Sequence, residues 1–155
     1  MNILRNQAYQ PMPHYQDKKI LPYQPEQLFD MVLDINAYKD FLPWCRRSEI
    51  IDHIPEKNVL YASVTAGYLV YSEMYVSKVT YEKPCKIHAE YVEGPFKTLY
   101  TSWTFEEHPK GCELQFEVHF EFSASVLNAL ASHVLDQIST RMVEAFVRRA
   151  QYLYG

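Results

Sequence analysis

The chain has 155 residues, 48% of them hydrophobic and 22% charged, and its 15 basic against 19 acidic side chains leave a formal net charge of −4. That composition excludes a disordered chain, and the acidic balance argues against a broad electrostatic footprint for nucleic acid, so no nucleic-acid partner is expected. No apolar run approaches the roughly 18 residues that a membrane span requires.

Length and the absence of an obvious linker indicate one domain. Residues 1–14, "MNILRNQAYQPMPH", carry a single arginine and no acid. They are expected to form a flexible tail or the stub of a removed transit peptide, leaving 15–155 as the folded domain. Three widely spaced cysteines, Cys45, Cys85 and Cys112, make a poor disulfide framework, and no CxxC or Cys/His spacing points to a metal. A reducing compartment is therefore expected. Aromatics reach 15%, with 13 tyrosines. Their apolar bodies and polar tips suit pocket walls, although strands favour aromatics too.

In chain order, residues 15–21 are expected to form a short strand. "PEQLFDMVLDI" follows as a helix: Pro25 suits a first helical position, Glu26 the positive end of the dipole, and Leu28, Phe29, Val32 and Ile35 recur at helical spacing. A second short helix over Ala37–Phe41 is stopped by Pro43. In "FLPWC" (41–45), large apolar residues then crowd onto a turn. They either plug a core from its edge or line the mouth of a hollow.

From Cys45 to Ser123 the period changes to two, the mark of antiparallel strands with one dry and one wet face. Leu60, Ala62, Val64 and Ala66 share a face, as do Ile87, Ala89 and Tyr91, and Leu99, Thr101, Trp103 and Phe105. In "ELQFEVHFEF", Leu114, Phe116, Val118, Phe120 and Phe122 alternate with Glu113, Gln115, Glu117, His119 and Glu121. A last helix over 125–153 carries a stripe of Leu127, Leu130, Ala131, Val134, Leu135, Ile138, Met142, Phe146 and Leu153. Arg148 and Arg149 fall in its last turns and Gly155 stops it.

One helix, about six antiparallel strands and one long helix is an α+β order. The economical arrangement wraps a curved sheet around the long helix. Such a pair leaves either an apolar cavity between them or a closed core in which the small Ala62, Ala66 and Ala89 meet bulkier neighbours; the pattern fits both.

The segments "YQPEQLFDMVLDINAYKDFLPWC" (23–45), "AGYLVYSEMYVSKV" (66–79), "GPFKTLYTSWTF" (94–105), "FEVHFEFSASVLNAL" (116–130) and "RMVEAFVRRAQYLYG" (141–155) resemble, in this order, the coenzyme Q-binding protein family. That family lies within the START and polyketide-cyclase-like superfamily of helix-grip folds. The chain departs from the family's pattern at Tyr100-Thr101-Ser102 and at Ala131-Ser132-His133. The resemblance implies a curved antiparallel sheet of six to seven strands gripping the last helix, with an apolar cavity between them. It further implies a carrier or chaperone of ubiquinone or a related isoprenoid quinone, supporting respiration and coenzyme Q synthesis, with no covalent cofactor and no enzymatic activity. A mitochondrial location on the matrix side of the inner membrane, or the bacterial cytoplasm, goes with it, as does a possible homodimer.

The expected ligand-binding residues follow from parity and that resemblance. Leu42, Pro43 and Trp44 would close one end, with the Trp44 ring either a platform for the quinone or a structural plug. Ala62, Val64, Tyr68, Glu73 and Tyr75 come from the third and fourth strands, and Ala89 and Tyr91 from the fifth. Trp103, Phe105, Phe116, Val118 and Phe120 follow, then Leu130, Val134, Ile138, Met142 and Phe146 on the helix. Tyr68, Leu69, Val70 and Tyr71, at a hairpin tip normally given to polar residues, are expected to touch a membrane.

Two other functions compete. A cyclase or aromatase needs acids and bases converging on one pocket. Glu73, which shares parity with Tyr75, Ser77 and Val79, is the best candidate, while His88, His119 and His133 fall on outward faces. Bacterial relatives resemble ribosome-association toxins that bind the large subunit; the tryptophan of "FLPWC" favours the quinone-binding branch over that one, where glycine is common.

Overall fold

A computed structural model describes residues 14–68, 71–122 and 125–155, and only the backbone of Tyr68, Tyr71, Phe122 and residues 125–135. Seven strands, β1 (His14–Leu21), β2 (Cys45–Ile54), β3 (Val59–Tyr68), β4 (Tyr71–Glu82), β5 (Lys86–Glu93), β6 (Phe96–His108) and β7 (Gly111–Phe122), make one antiparallel sheet. Their spatial order is β1-β7-β6-β5-β4-β3-β2. Helices α1 (Pro25–Leu33) and α2 (Tyr38–Phe41) lie between β1 and β2, and α3 (Ser125–Tyr154) ends the chain. This is the expected helix-grip architecture, with seven strands. His14 already belongs to β1, and the rest of the expected tail lies outside the described residues.

Each element forms for a local reason. Pro25 opens α1, and the Gln24 backbone N–H donates to Gln27 Oε1 at 2.9 Å, satisfying a donor at the helix start. The short segment through α2 is tied to β2 by polar contacts. Asn36 Oδ1 accepts from the Ile50 N–H at 2.8 Å, and the buried Ser48 hydroxyl accepts from the Lys39 N–H at 3.1 Å while donating to the Asn36 carbonyl at 3.3 Å. At the β6–β7 turn Gly111 has φ 134°, and a side chain there would run into the Leu21 carbonyl.

The sheet curves because its ladders are interrupted. Register shifts fall between Cys45 and Arg47, between Ile50 and Asp52, between Val76 and Ser77, and between Phe96 and Thr98. Such bulges bend a strand and increase its twist. They also break the strict period of two. Ile51 and Val92, left out of register, are 51% and 53% exposed.

The concave face has two halves. In the first, Phe146 of α3 meets Tyr38, Phe41 and Trp103 edge-on, with ring centroids 5.3, 5.1 and 5.0 Å away. Trp103 packs on Phe116 at 4.4 Å, and Phe29 of α1 on Phe105 at 5.8 Å. The end of α3 is fastened by the Tyr154 hydroxyl, which donates to the Gln27 carbonyl at 2.8 Å, and by Arg149 over the Phe41 ring. The buried line of this half of the helix is Ser139, Val143, Ala145, Phe146 and Ala150. Leu153, expected on the apolar stripe, is 42% exposed, while its neighbour Tyr154 is the residue that turns to Tyr23 and Gln27. Helix α3 continues to Tyr154, so Arg148 and Arg149 stand before its last turn, which holds no basic residue.

Candidate functional site

The second half of the concave face is built differently. Along β6 the inward row goes from the buried Phe105 and Trp103 to the half-buried Thr101 and Leu99, and along β4 from the buried Val79 and Ser77 to the half-buried Tyr75. Ala89 and Tyr91 of β5 are half-buried as well. Here Phe96 gathers an aromatic cluster, with Tyr75, Tyr91 and Phe120 at 5.9, 6.0 and 6.1 Å, all nearly edge-on. Apolar and aromatic side chains on the dry face of a sheet, still partly accessible, have the composition of a ligand-binding cleft.

The "FLPWC" turn borders this half. Cys45 pairs with Ala66, and Val64 with Tyr75, which brings the start of β2, the end of β3 and the start of β4 together. The Trp44 carbonyl accepts from the Gly67 N–H at 2.8 Å. A side chain at Gly67 would overlap the Arg46 side chain, which would have to swing aside to admit it. Leu42 is buried, Trp44 half-buried and Pro43 exposed. Pro43 therefore ends α2 and faces solvent; of the expected end-cap, Leu42 and Trp44 face the protein.

Tyr38, Cys45 and Tyr75 form a polar cluster at the same end. Burial raises the pKa of Tyr38 and Tyr75 well above the ordinary phenol value; Tyr75 and Cys45 further disfavour charge on Tyr38, and Cys45 on Tyr75. The Tyr38 hydroxyl donates to the Val32 carbonyl. Burial likewise raises the Cys45 thiol, which donates to the Arg47 carbonyl at 3.3 Å. All three stay neutral at pH 7. The Trp44 indole Nε1–H is buried with no hydrogen-bond partner among the described residues. This end therefore offers neutral polar groups and one unused donor, which suits an uncharged oxygen function such as a carbonyl.

The remaining expected residues divide between the two halves. Trp103, Phe116 and Phe146 stand in the first, with Phe105 against Phe29; Ala62, Val64 and Val118 are buried, the last two opposite Tyr75 and Thr101 in the ladder, and Ile138 and Met142 are half-buried on α3. Tyr75, Ala89, Tyr91 and Phe120 stand in the second. Glu73 keeps inward parity but is exposed at the rim, paired with Ala66 at the end of the ladder. The side chains of Tyr68, Leu69, Val70, Tyr71, Leu130, Val134 and His133 lie outside the described residues. Tyr38, Phe96 and Leu99 also stand at this site, outside the expected set. Leu99 was legible from parity, Phe96 was hidden by the bulge, and Tyr38 reaches the site only through the path of the chain.

Two hollows lined by described residues lie elsewhere. One, of about 450 Å³, is bordered by Lys57, Tyr81 and His88; the other, of about 660 Å³, by Pro25, Cys85 and Phe105. On the outer face, His14, Glu117 and His119 come together, although no spacing in the chain announced a metal-type cluster.

Residues 21–147 match the family described as polyketide cyclase / dehydrase and lipid transport. Over 146 residues the chain is 34% identical to the coenzyme Q-binding protein COQ10 homolog B, mitochondrial, of Xenopus laevis, covering 91% of this chain and 59% of that relative. The chain thus spans less than two thirds of that protein's length. Over 142 residues it is 32% identical to the ribosome association toxin RatA of Rickettsia prowazekii, covering 90% of this chain and 97% of the relative. Among solved structures, the 18 kDa protein CC1736 from Caulobacter crescentus superposes with a TM-score of 0.77 at 28% identity, over 93% of this chain and 99% of that one. A START superfamily protein from Mycobacterium smegmatis gives 0.80 at 15% identity, over 90% and 98%, a likeness of fold alone. The toxin relatives weigh against the expectation that no nucleic-acid assembly is a partner.

Proposed function

We propose, given that this chain belongs to the polyketide cyclase / dehydrase and lipid transport family, that it carries an apolar ligand with an uncharged polar head, an isoprenoid quinone such as ubiquinone, in the second half of its concave face. The observation that carries this reading is the change along β4 and β6 from a closed core to a half-accessible aromatic surface, ending at the neutral cluster of Tyr38, Cys45 and Tyr75. A five-carbon isoprene unit gains on the order of 3–4 kcal/mol on leaving water, so even partial sheltering of the tail is favourable. The head would meet phenol, thiol and indole groups that ask no charge of it. The relative named as a coenzyme Q-binding protein supports this choice of ligand.

Binding without catalysis is part of the same proposal. A general acid or base works best with a pKa near the working pH, and the groups at this end are shifted the other way. Glu73, the sequence's candidate for that role, is exposed at the rim. Membrane pickup through Tyr68–Tyr71 completes the proposal on sequence grounds. Among the described residues no helix is long and apolar enough to cross a membrane, so contact with the matrix-side inner membrane or a bacterial membrane would be peripheral.

Extraction of the purified chain with organic solvent and mass spectrometry of the extract tests this directly. A stoichiometric isoprenoid quinone is expected; an extract holding none, from a chain that also fails to take up added quinone, would sink the reading. The second reading, attachment to the ribosome, is favoured by the toxin relative matched over 97% of its length. It predicts co-sedimentation with large subunits that weakens steeply as salt rises, because phosphate contacts release counterions.

A further inference from the structure

The outer face of the sheet, opposite the concave site, carries a separate constellation. His14 opens β1 and is the direct cross-strand partner of His119 on β7. Glu117 lies two residues before His119, so its side chain emerges on the same face. His14 Nε2 lies 3.5 Å from Glu117 Oε1, and His119 Nε2 bonds that same oxygen. One ligand atom from each of the three residues falls within 4.8 Å of the others. The two imidazoles stack at 4.1 Å, and Tyr100 stacks on His119 at 4.5 Å.

The neighbouring carboxylates sharpen the contrast. On the outer row of β7, Glu113 pairs with Lys18 at 3.2 Å and Glu121 with Lys97 at 3.4 Å. Glu117, between them, faces two imidazoles instead. A carboxylate flanked by two rings held in one cross-strand register is a donor set rather than an ion pair.

We propose that His14, Glu117 and His119 bind a divalent transition metal of the Zn²⁺ type on the outer face of the sheet. Two imidazole nitrogens and one carboxylate oxygen suit Zn²⁺, Co²⁺ or Ni²⁺, whereas Ca²⁺ and Mg²⁺ want oxygen ligands throughout. Bonds of about 2.0–2.2 Å to a tetrahedral ion place ligand atoms roughly 3.3 Å apart. The 3.5 Å between His14 and Glu117 is near that spacing already. Small rotations of the other side chains would let the ion take the place of the direct His119–Glu117 contact. Three protein ligands leave a fourth position for water or an outside group. Because His14 begins the edge strand β1 and Glu117 and His119 lie on β7, the ion would staple the start of the domain to its sheet. Any ion that binds the folded chain alone stabilises it. The site faces away from the concave half, so this proposal stands or falls independently of the quinone reading.

The test uses the whole chain, without a histidine tag and freed of metal by a chelator, with Zn²⁺ and Co²⁺ as probes. One Zn²⁺ per chain is expected, with a Kd of roughly 10 µM or tighter, a rise in melting temperature, and Co²⁺ absorption bands of a four- or five-coordinate nitrogen/oxygen site. His14→Ala and His119→Ala should each weaken binding by about tenfold or more and abolish those bands. His88→Ala is the control: that ring lies on the outer face too, bonded to Ser102 at 2.7 Å and Glu90 at 3.1 Å, and its loss should leave binding unchanged. Should His119→Ala fail to fold, His14→Ala, altering an exposed strand end, and Glu117→Gln carry the test. No stoichiometric binding, or binding that survives loss of His14 and His119, overturns the proposal and leaves a hydrogen-bonded trio.

Discussion

Trp44 holds an indole N–H that is buried without a partner among the described residues, and a buried donor in that condition costs about 1–3 kcal/mol. Trp44→Phe removes the orphaned group, a gain, and also part of a buried ring, a loss of similar size, so stability should change by less than about 1 kcal/mol in a denaturant titration. If the N–H serves the ligand's carbonyl, the same variant should bind a quinone analogue roughly threefold to tenfold more weakly, the range of one net hydrogen bond. Equal affinity in the two proteins would show that Trp44 is only a plug. Cys112 yields a second residue-scale prediction. Burial pushes its thiol from 9.0 up to about 11. The unfolded chain therefore releases this proton first as pH rises. The stability contributed by Cys112 is whole below pH 9 and is lost between about pH 9 and 11, with a slope of at most about 1.4 kcal/mol per pH unit. Cys112→Ala should flatten that part of the alkaline denaturation profile; an unchanged profile would show that the thiol is not the group responsible.

At the scale of elements, α3 closes the first half of the concave face. Its C-terminal half docks on α2 and the middle of the sheet through Phe146, whose ring meets three others within 5.3 Å. Phe146→Ala should cost about 3–5 kcal/mol, the range for deleting a fully buried ring from a core with little room to collapse. The Tyr154 hydroxyl, bonded to the Gln27 carbonyl at the far end, gives a smaller, separate contribution. A loss below about 1 kcal/mol for Phe146→Ala would mean that this half of the concave face is loose, and would reopen Trp103, Phe105 and Phe116 as ligand contacts.

For the whole molecule, the division of the concave face into a closed half and a half-accessible one distinguishes two alanines that parity treats alike. Ala62 is 2% exposed, between Ile50 and Ser77 in the ladder. Ala89 is half-buried, beside Val79 and Thr101. Ala62→Phe should overpack its surroundings and cost about 1–3 kcal/mol. Ala89→Phe should be tolerated with little change in melting temperature, yet block uptake of the quinone by occupying its space. An Ala89→Phe variant that is stable and still binds as wild type would place the ligand elsewhere.

The period of two from Cys45 onward, the helical stripe before Gly155 and the prolines Pro25 and Pro43 at the short helices were enough to foretell one curved sheet gripping one long helix. Those signals are local, and each strand's dry face is written in alternate residues. The same alternation placed Trp103, Phe116 and Ala62 correctly on the inner face. It could not say which inner residues meet a helix and which remain accessible, because that depends on where α3 lies against the sheet. Bulges defeated it elsewhere: Phe96 joins the inner cluster from a position whose parity is broken by the register shift before Thr98. Tyr38 reaches Tyr75 and Cys45, and His14 reaches His119, only through the topology that brings α2 under the sheet and sets β1 beside β7. A sequence states what each side chain can do; the ladder of backbone hydrogen bonds between distant strands determines which side chains do it together.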